Sequence, residues 1–175
     1  DVLILTKPLG TGALFAADMQ HRAKGLWIER ALHVMQQSNG NALKVLEKYE
    51  VSACTDITGF GLAGHLLEMV QASSCGVKLD IDSLPALDGA LQCLNSGITS
   101  TLHEGNRAAV LSIVDNNSRS ELLYDPQTSG GLLASVPESF AQSCIDDLIQ
   151  AGYTGAAVIG FAVPGEAKIS TGFRP

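Results

Sequence analysis

Along these 175 residues, apolar positions recur either continuously and every second residue, or every third to fourth. "VLILTK" (Val2 to Lys7) is a continuous apolar run with β-branched members and predicts a buried strand. "PLGTG" breaks the run, and "ALFAADMQHRA" predicts a helix. In "GLWIERALHVMQQSNG", Leu26, Ile28, Ala31, Leu32 and Met35 form an apolar stripe, with Gly40 as the expected stop. "NALKVLEKYE" predicts a short third helix capped by Asn41. "VSACT" is a short strand, and "FGLAGHLLEMVQAS" a helix ending near Cys75 and Gly76. "VKLDID" sets Val77, Leu79 and Ile81 against Lys78, Asp80 and Asp82, the alternation of a strand buried on one face. "PALDGALQCLNSG" predicts a helix with Pro85 in its first turn. From Ile98 to Ser120 the chain is polar, a loop plus the short helix "RAAVLSIVD". "DPQTSGG" is a glycine-bearing turn leading into the strand "LLASV". "PESFAQSCIDDLIQAG" is helical, and "AAVIGFAV" and "EAKIS" are expected to pair around Pro164 and Gly165. Strands and helices mix without strict alternation, which favours an α/β (α+β) arrangement, a mixed sheet layered with helices.

The length suits one domain, residues 1–170 with a short tail at 171–175, and suffices to bury a core. A strand starting at residue 2, with no Met and no polar lead-in, suggests a piece of a longer chain. A net charge of −7 and a pI near 4.9 argue against nonspecific binding to nucleic acid or an anionic membrane. Cys54, Cys75, Cys93 and Cys144 are widely spaced and form no C-x-x-C pair. They read as free, buried or half-buried thiols of a reducing, cytoplasmic compartment. No apolar run approaches the length of a membrane span, and no signal-peptide pattern is present.

The chemistry concentrates in "ACTDITGFGLAGHLLEM" (Ala53 to Met69). Gly59, Gly61 and Gly64 follow the G-x-G-x-x-G spacing of a dinucleotide-binding turn, and Asp80 and Asp82 lie about where a ribose-binding acid would be expected. Asp56, however, stands three residues ahead of Gly59, where the phosphates would rest. A carboxylate beside a pyrophosphate costs several kcal/mol unless a cation intervenes. With Mg²⁺ present the same carboxylate becomes a ligand, since Mg²⁺ bridges carboxylates to substrate phosphates. Asp56, Thr58 and the glycine turn therefore form either half of a metal–phosphate site, a capped turn without a ligand, or a dinucleotide turn. "KPLGTG" (Lys7 to Gly12) lacks G-K-[ST] and is no Walker loop; Lys7 either meets a phosphate or is an exposed strand-end lysine. In "DPQTSGG", Asp125, Thr128 and Ser129 sit beside paired glycines, in a phosphate-facing turn or a plain one. His65, without a histidine partner one turn away, reads as structural, and His103, beside Glu104 in the polar loop, as exposed.

Taken in order, "LTKPLGTG", "ACTDITGFGLAGHLLEM" and "DPQTSGGLL" closely resemble selenophosphate synthetase (selenide, water dikinase). "LPALDGA", "GITSTLHEGNR" and "VIGFAV" fit the same family, and the match covers essentially the whole chain. It is a match to the family's C-terminal domain, the module shared with aminoimidazole ribonucleotide synthetase. The resemblance implies a mixed sheet with helices over one face. It also implies an enzyme that converts selenide, ATP and water to selenophosphate, AMP and phosphate with Mg²⁺. Asp56 corresponds to the family's metal-binding aspartate of the T-D-x-T-G-F-G motif. Thr58, Gly59 and Gly61 would shape the turn around it, and Lys7, Thr128 and Ser129 would be phosphate-side neighbours. The family's remaining aspartates and its nucleophilic Cys or selenocysteine with its lysine lie in an N-terminal domain, as does most of the dimer contact. No cysteine here takes the nucleophile's role, and the chain alone is expected to be inactive. The rivals are a Rossmann-like dinucleotide module, a noncatalytic scaffold that docks a partner domain, and a related ATP-dependent enzyme of purine or thiamine synthesis.

Overall fold

The structure, a computed structural model, describes residues 1–110 and 118–172. Its centre is a six-stranded mixed sheet made of β1 (Val2–Leu5), β2 (Ala53–Asp56), β3 (Gly76–Leu79), β4 (Leu132–Val136), β5 (Ala157–Val163) and β6 (Ile169–Thr171). The spatial order is β2-β4-β1-β5-β3-β6. All neighbours are antiparallel except β3 and β6, which run parallel. β1 lies between β4 and β5 and is buried at every position, which is why its sequence is continuously apolar. β2 is an edge strand, and its alternating exposure carries Asp56 to the surface at its last position.

Among the described residues, seven α-helices surround the sheet: α1 (Thr11–Met19), α2 (Gly25–Gln36), α3 (Asn39–Leu46), α4 (Gly61–Ser73), α5 (Ala90–Asn95), α6 (His103–Ala109) and α7 (Ala141–Gln150). The period-two pleat sends Leu3 and Leu5 of β1 to one face and Val2 and Ile4 to the other. On the first face, Leu3, Leu5, Val77, Leu79 and Leu133 pack with Leu14, Leu62, Leu66 and Leu94 from α1, α4 and α5. This is the larger core, and each fully buried leucine in it contributes about 1.5–3 kcal/mol. The opposite face also carries helices: Val2, Ile4, Ala134 and Val136 pack with Val45 and Leu46 of α3 and Cys144 and Leu148 of α7.

Several boundaries differ from the sequence reading. α2 stops at Gln36, not Gly40, and α3 is capped by Ser38, whose hydroxyl accepts from Gly40 N at 3.2 Å. Asn41 lies inside that helix and is exposed. β3 ends at Leu79; Asp80 accepts from Asp82 N and turns Ile81–Ser83 into a 3-10 turn, so Ile81 is buried without being in the strand. α5 starts at Ala90, beyond Pro85, because Leu9 and Ala86 form a short parallel bridge there. The helix expected at Arg107–Asp115 starts earlier, at His103, and residues 111–117 lie outside the described residues. The closing strands do not pair with each other: β6 crosses to the far side of β3, with Val77 opposite Ile169. Pro164 and Gly165, the latter with φ +125°, do turn the chain, but they carry it across β3 and not into a hairpin.

Candidate functional site

The fold brings together three segments far apart in sequence: the loop leading into α1, the turn between β2 and α4, and the turn preceding β4. Gln127 joins them. Its main-chain N–H donates to Thr58 O at 2.9 Å. Its side-chain Oε1 accepts from Gly10 N (3.1 Å), Thr11 N (3.3 Å) and Thr11 Oγ1 (3.2 Å). Its Nε2 donates to Asp125 O (2.8 Å) and Asp125 Oδ2 (2.9 Å), and the same Oδ2 accepts from Gly12 N at 3.1 Å. Thr128 N donates to Thr11 Oγ1 at 2.9 Å. The first N–H groups of α1, which could have received an anion, are thus satisfied from within the chain.

The glycines in these turns are required by close approach. A Cβ at Gly130 would collide with the Ile57 carbonyl oxygen, and one at Gly61, whose φ is +70°, would lie 2.7 Å from Leu123 O. Neither turn could pack against its neighbour with a side chain at those positions.

Between these turns and the loop ahead of α6 lies a groove of about 390 Å³. Thr11, Gly12, Gly59, Thr128 and the Thr99–Leu102 loop line it, with Phe15 and Met19 on the α1 side. Asn106 ties its floor, donating to Gly59 O at 2.8 Å and Tyr124 O at 3.0 Å. Met19 and Leu102 are exposed at the groove, and Phe60 is exposed beside it.

Of the residues singled out in the sequence, Gly59 and Thr128 line this groove. Gly61 is buried at the start of α4, and Thr58 Oγ1 is 2.9 Å from His65 Nε2. His65 is buried and fixes the Thr58 side chain. Asp56 is exposed at the end of β2. Ser129 is exposed with φ +52°, and its carbonyl accepts from Lys7 Nζ at 3.1 Å.

Lys7 is not an exposed strand-end lysine. It is 2% exposed, donates also to Gln37 O at 2.6 Å, and burial lowers its pKa. His103 is likewise buried, not exposed: its Nε2 lies 2.8 Å from Glu121 Oε2, while Arg107 reaches Glu121 Oε1 at 3.0 Å. The 3-10 turn Ser118–Leu123 delivers Glu121 to α6 across 18 residues, which local spacing could not show.

All four cysteines are free; Cys93 and Cys144 are buried and Cys75 half-buried, but Cys54 is exposed on the edge strand. Partial desolvation, then the neighbouring Asp56 charge, pushes the Cys54 thiol up, away from a reactive thiolate.

The dinucleotide reading fails on topology. A Rossmann turn follows a strand whose neighbours are parallel, with the crossover strand close beside it. Here β2 is an antiparallel edge strand, and β4, β1 and β5 separate it from β3. Asp80 caps a 3-10 turn on the other side of the sheet.

Among the described residues, no group of three or more His, Cys, Asp or Glu side chains could hold a metal ion. Mg²⁺ commonly takes one or two carboxylates together with phosphate and water oxygens. The exposed, unencumbered Asp56 fits as one contributing ligand and not as a complete site. Among the described residues no helix is long and apolar enough to cross a membrane.

The groove residues missing from the sequence reading are Thr11, Gln127 and the Thr99–Leu102 loop, together with Asn106, which holds the Gly59 carbonyl from outside the groove. Gln127 was within reach, since it stands inside the "DPQTSGG" stretch, but its partners lie 116 and 117 residues away.

The sequence matches the family "AIR synthase related protein, C-terminal domain" over residues 1–171. A selenide, water dikinase of Clostridioides difficile is 36% identical over 176 residues, 98% of this chain and 51% of that protein. One from Pelobacter propionicus is 40% identical over 168 residues, 93% of this chain and 48% of that protein. The chain thus spans about half the length of the curated relatives it matches. A crystal structure of the hydrogenase maturation protein HypE in complex with ATP superposes with a TM-score of 0.66 at 16% identity, covering 97% of this chain and 46% of that one. That likeness is one of fold, and it agrees with the mixed sheet described above. With the match running from the first residue through the end of β6, this chain belongs to the family of AIR synthase related proteins, as their C-terminal domain.

Proposed function

We propose that this chain is the C-terminal half of a selenophosphate synthetase. The reaction would form selenophosphate from selenide, ATP and water, releasing AMP and phosphate, in the cytoplasm. The observation that carries the reading is the position of Asp56, exposed at the end of an edge strand three residues ahead of a glycine that lines the groove. It is supported by relatives named selenide, water dikinase at 36% and 40% identity.

In this reading Asp56 presents a hard oxygen to Mg²⁺, which supplies the positive charge that phosphate oxygens require beside a carboxylate. Thr58, held by His65, and Gly59 keep the backbone close and free of side chains where the nucleotide's phosphates pass. Thr128 and Ser129 stand exposed on the facing turn. Lys7 acts at one remove, by fixing the Ser129 carbonyl. The other metal ligands, the nucleophile and most of the dimer contact would come from an N-terminal domain, so the 175-residue chain by itself would not turn over ATP.

The test is Asp56→Ala in the full-length protein, assayed for selenide-dependent ATP consumption. Activity is expected to fall by at least about a hundredfold, the order of loss seen when one part of the electrostatic machinery that stabilises a transition state is removed; here the part lost is the carboxylate that would hold the cation. The circular dichroism spectrum should stay unchanged, because the side chain is exposed. Near-normal turnover in the folded variant contradicts the assignment.

A further inference from the structure

The Asp125–Gln127 pair lies outside the metal and phosphate roles above, yet every polar atom of the Gln127 side chain is engaged. Oε1 takes three donors from the start of α1, and Nε2 gives both its bonds to Asp125. Asp125 Oδ2 in turn holds Gly12 N. Both residues are buried, Asp125 completely and Gln127 to 4% exposure. Thr11, Gly12, Gln127 and Thr128, all members of this network, line the groove. We propose that Gln127 is a positioning residue, whose amide clamps the start of α1 to the 125–131 turn and so sets the groove's width.

The donor and acceptor pattern allows one arrangement only. Gly10, Thr11 and Thr11 Oγ1 offer donors, so they need an oxygen; Asp125 offers oxygens, so it needs an N–H. An amide satisfies both at once, while a carboxylate satisfies only the first. The groups that face Asp125 from neighbouring elements are His103 of α6, whose charge favours its ionised form, and Cys93 of α5; α1 presents main-chain N–H groups. Burial works against the charge and pushes the Asp125 carboxyl up to about 6. A proton taken up by Asp125 would sit on Oδ1, which has no hydrogen-bond partner among the described residues, and leave Oδ2 to accept from Gln127 and Gly12.

The inference rests on the proposed ATP chemistry, and Gln127→Glu separates the two. In that variant two carboxyl groups meet where an amide met a carboxylate, and like charges at this range keep a proton between them. At pH 6 the shared proton restores the donor toward Asp125, and the clamp holds. As pH rises the proton is lost, the two groups repel, and the clamp opens. In the full-length protein, the ratio of Gln127→Glu to wild-type ATP turnover is expected to fall about tenfold from pH 6 to pH 9, with the loss mainly in KM. A ratio that stays constant with pH overturns the proposal, because loss of packing alone does not titrate. If Gln127→Glu does not fold, Gln127→Met serves: it keeps the length of the side chain but offers Gly10, Thr11 and Asp125 no comparable hydrogen bond, so KM for ATP should rise about tenfold with kcat within about twofold of wild type. An unchanged KM there also overturns it. Absence of ATP turnover in the wild-type protein would instead contradict the proposed function.

Discussion

At the scale of single residues, Asp125 shows what burial does to a carboxyl group that its neighbours hold in place. Its carboxyl is pushed up to about 6 from an ordinary value of 3.8, chiefly by burial. A raised carboxyl means that the folded state holds the proton more tightly than the unfolded chain. The stabilisation is fully present below pH 3.8 and is lost as pH rises through 6. Two units correspond to about 3 kcal/mol, which wild type should lose relative to Asp125→Asn between pH 4 and pH 7. Urea unfolding at both pH values measures it; parallel stabilities would show that the carboxyl is not desolvated. The stretch around Asp125 was visible in the sequence as a glycine turn, but its burial was not. Asp125, Lys7 and His103 are polar residues in polar surroundings, and each is enclosed by segments distant in sequence: Gly12, Gln37 and Glu121 respectively. The exposed strand-end position of Asp56 was legible for the opposite reason, because it depends only on its own strand and the glycines that follow.

At the scale of elements, the helix that follows α2 separates expectation from structure most sharply. Ser38, not Asn41, supplies the cap. Ser38→Ala should cost about 1 kcal/mol in urea unfolding, while Asn41→Ala, exposed inside the helix, should stay within about 0.5 kcal/mol of wild type. The reverse order would restore Asn41 as the cap. The strands β1 and β4 and the helices α4 and α7 were readable because each carries its own period or punctuation. The partnership of β6 was not, because a three-residue strand pairing in parallel across 92 residues leaves no local mark. The short turn at Asp80–Ser83 was hidden by an alternation that continues past the strand's end; Asp80 caps and bends the chain although Ile81 is still buried.

At the scale of the molecule, the sheet places β2 on one edge, so that Asp56 and the turn behind it face outward while α1, α4 and α5 close the larger core. The fold class was legible from the mixture of strand and helix signals. The order of the strands was not, and it is the order that rules out a dinucleotide fold. Asp56 stands exposed three residues ahead of the groove-lining Gly59, with Met19, Phe60 and Leu102 exposed around the groove, in a chain that spans about half the length of its relatives; in the proposed reading it is one ligand of a larger site. The most direct measurement is a titration of Mn²⁺, followed by electron paramagnetic resonance, into the full-length protein bound to a nonhydrolysable ATP analogue. Asp56→Ala should weaken Mn²⁺ binding by about tenfold or more, equivalent to 1.4 kcal/mol of lost coordination. Unchanged affinity and stoichiometry in the folded variant would contradict a metal ion held between this carboxylate and the nucleotide.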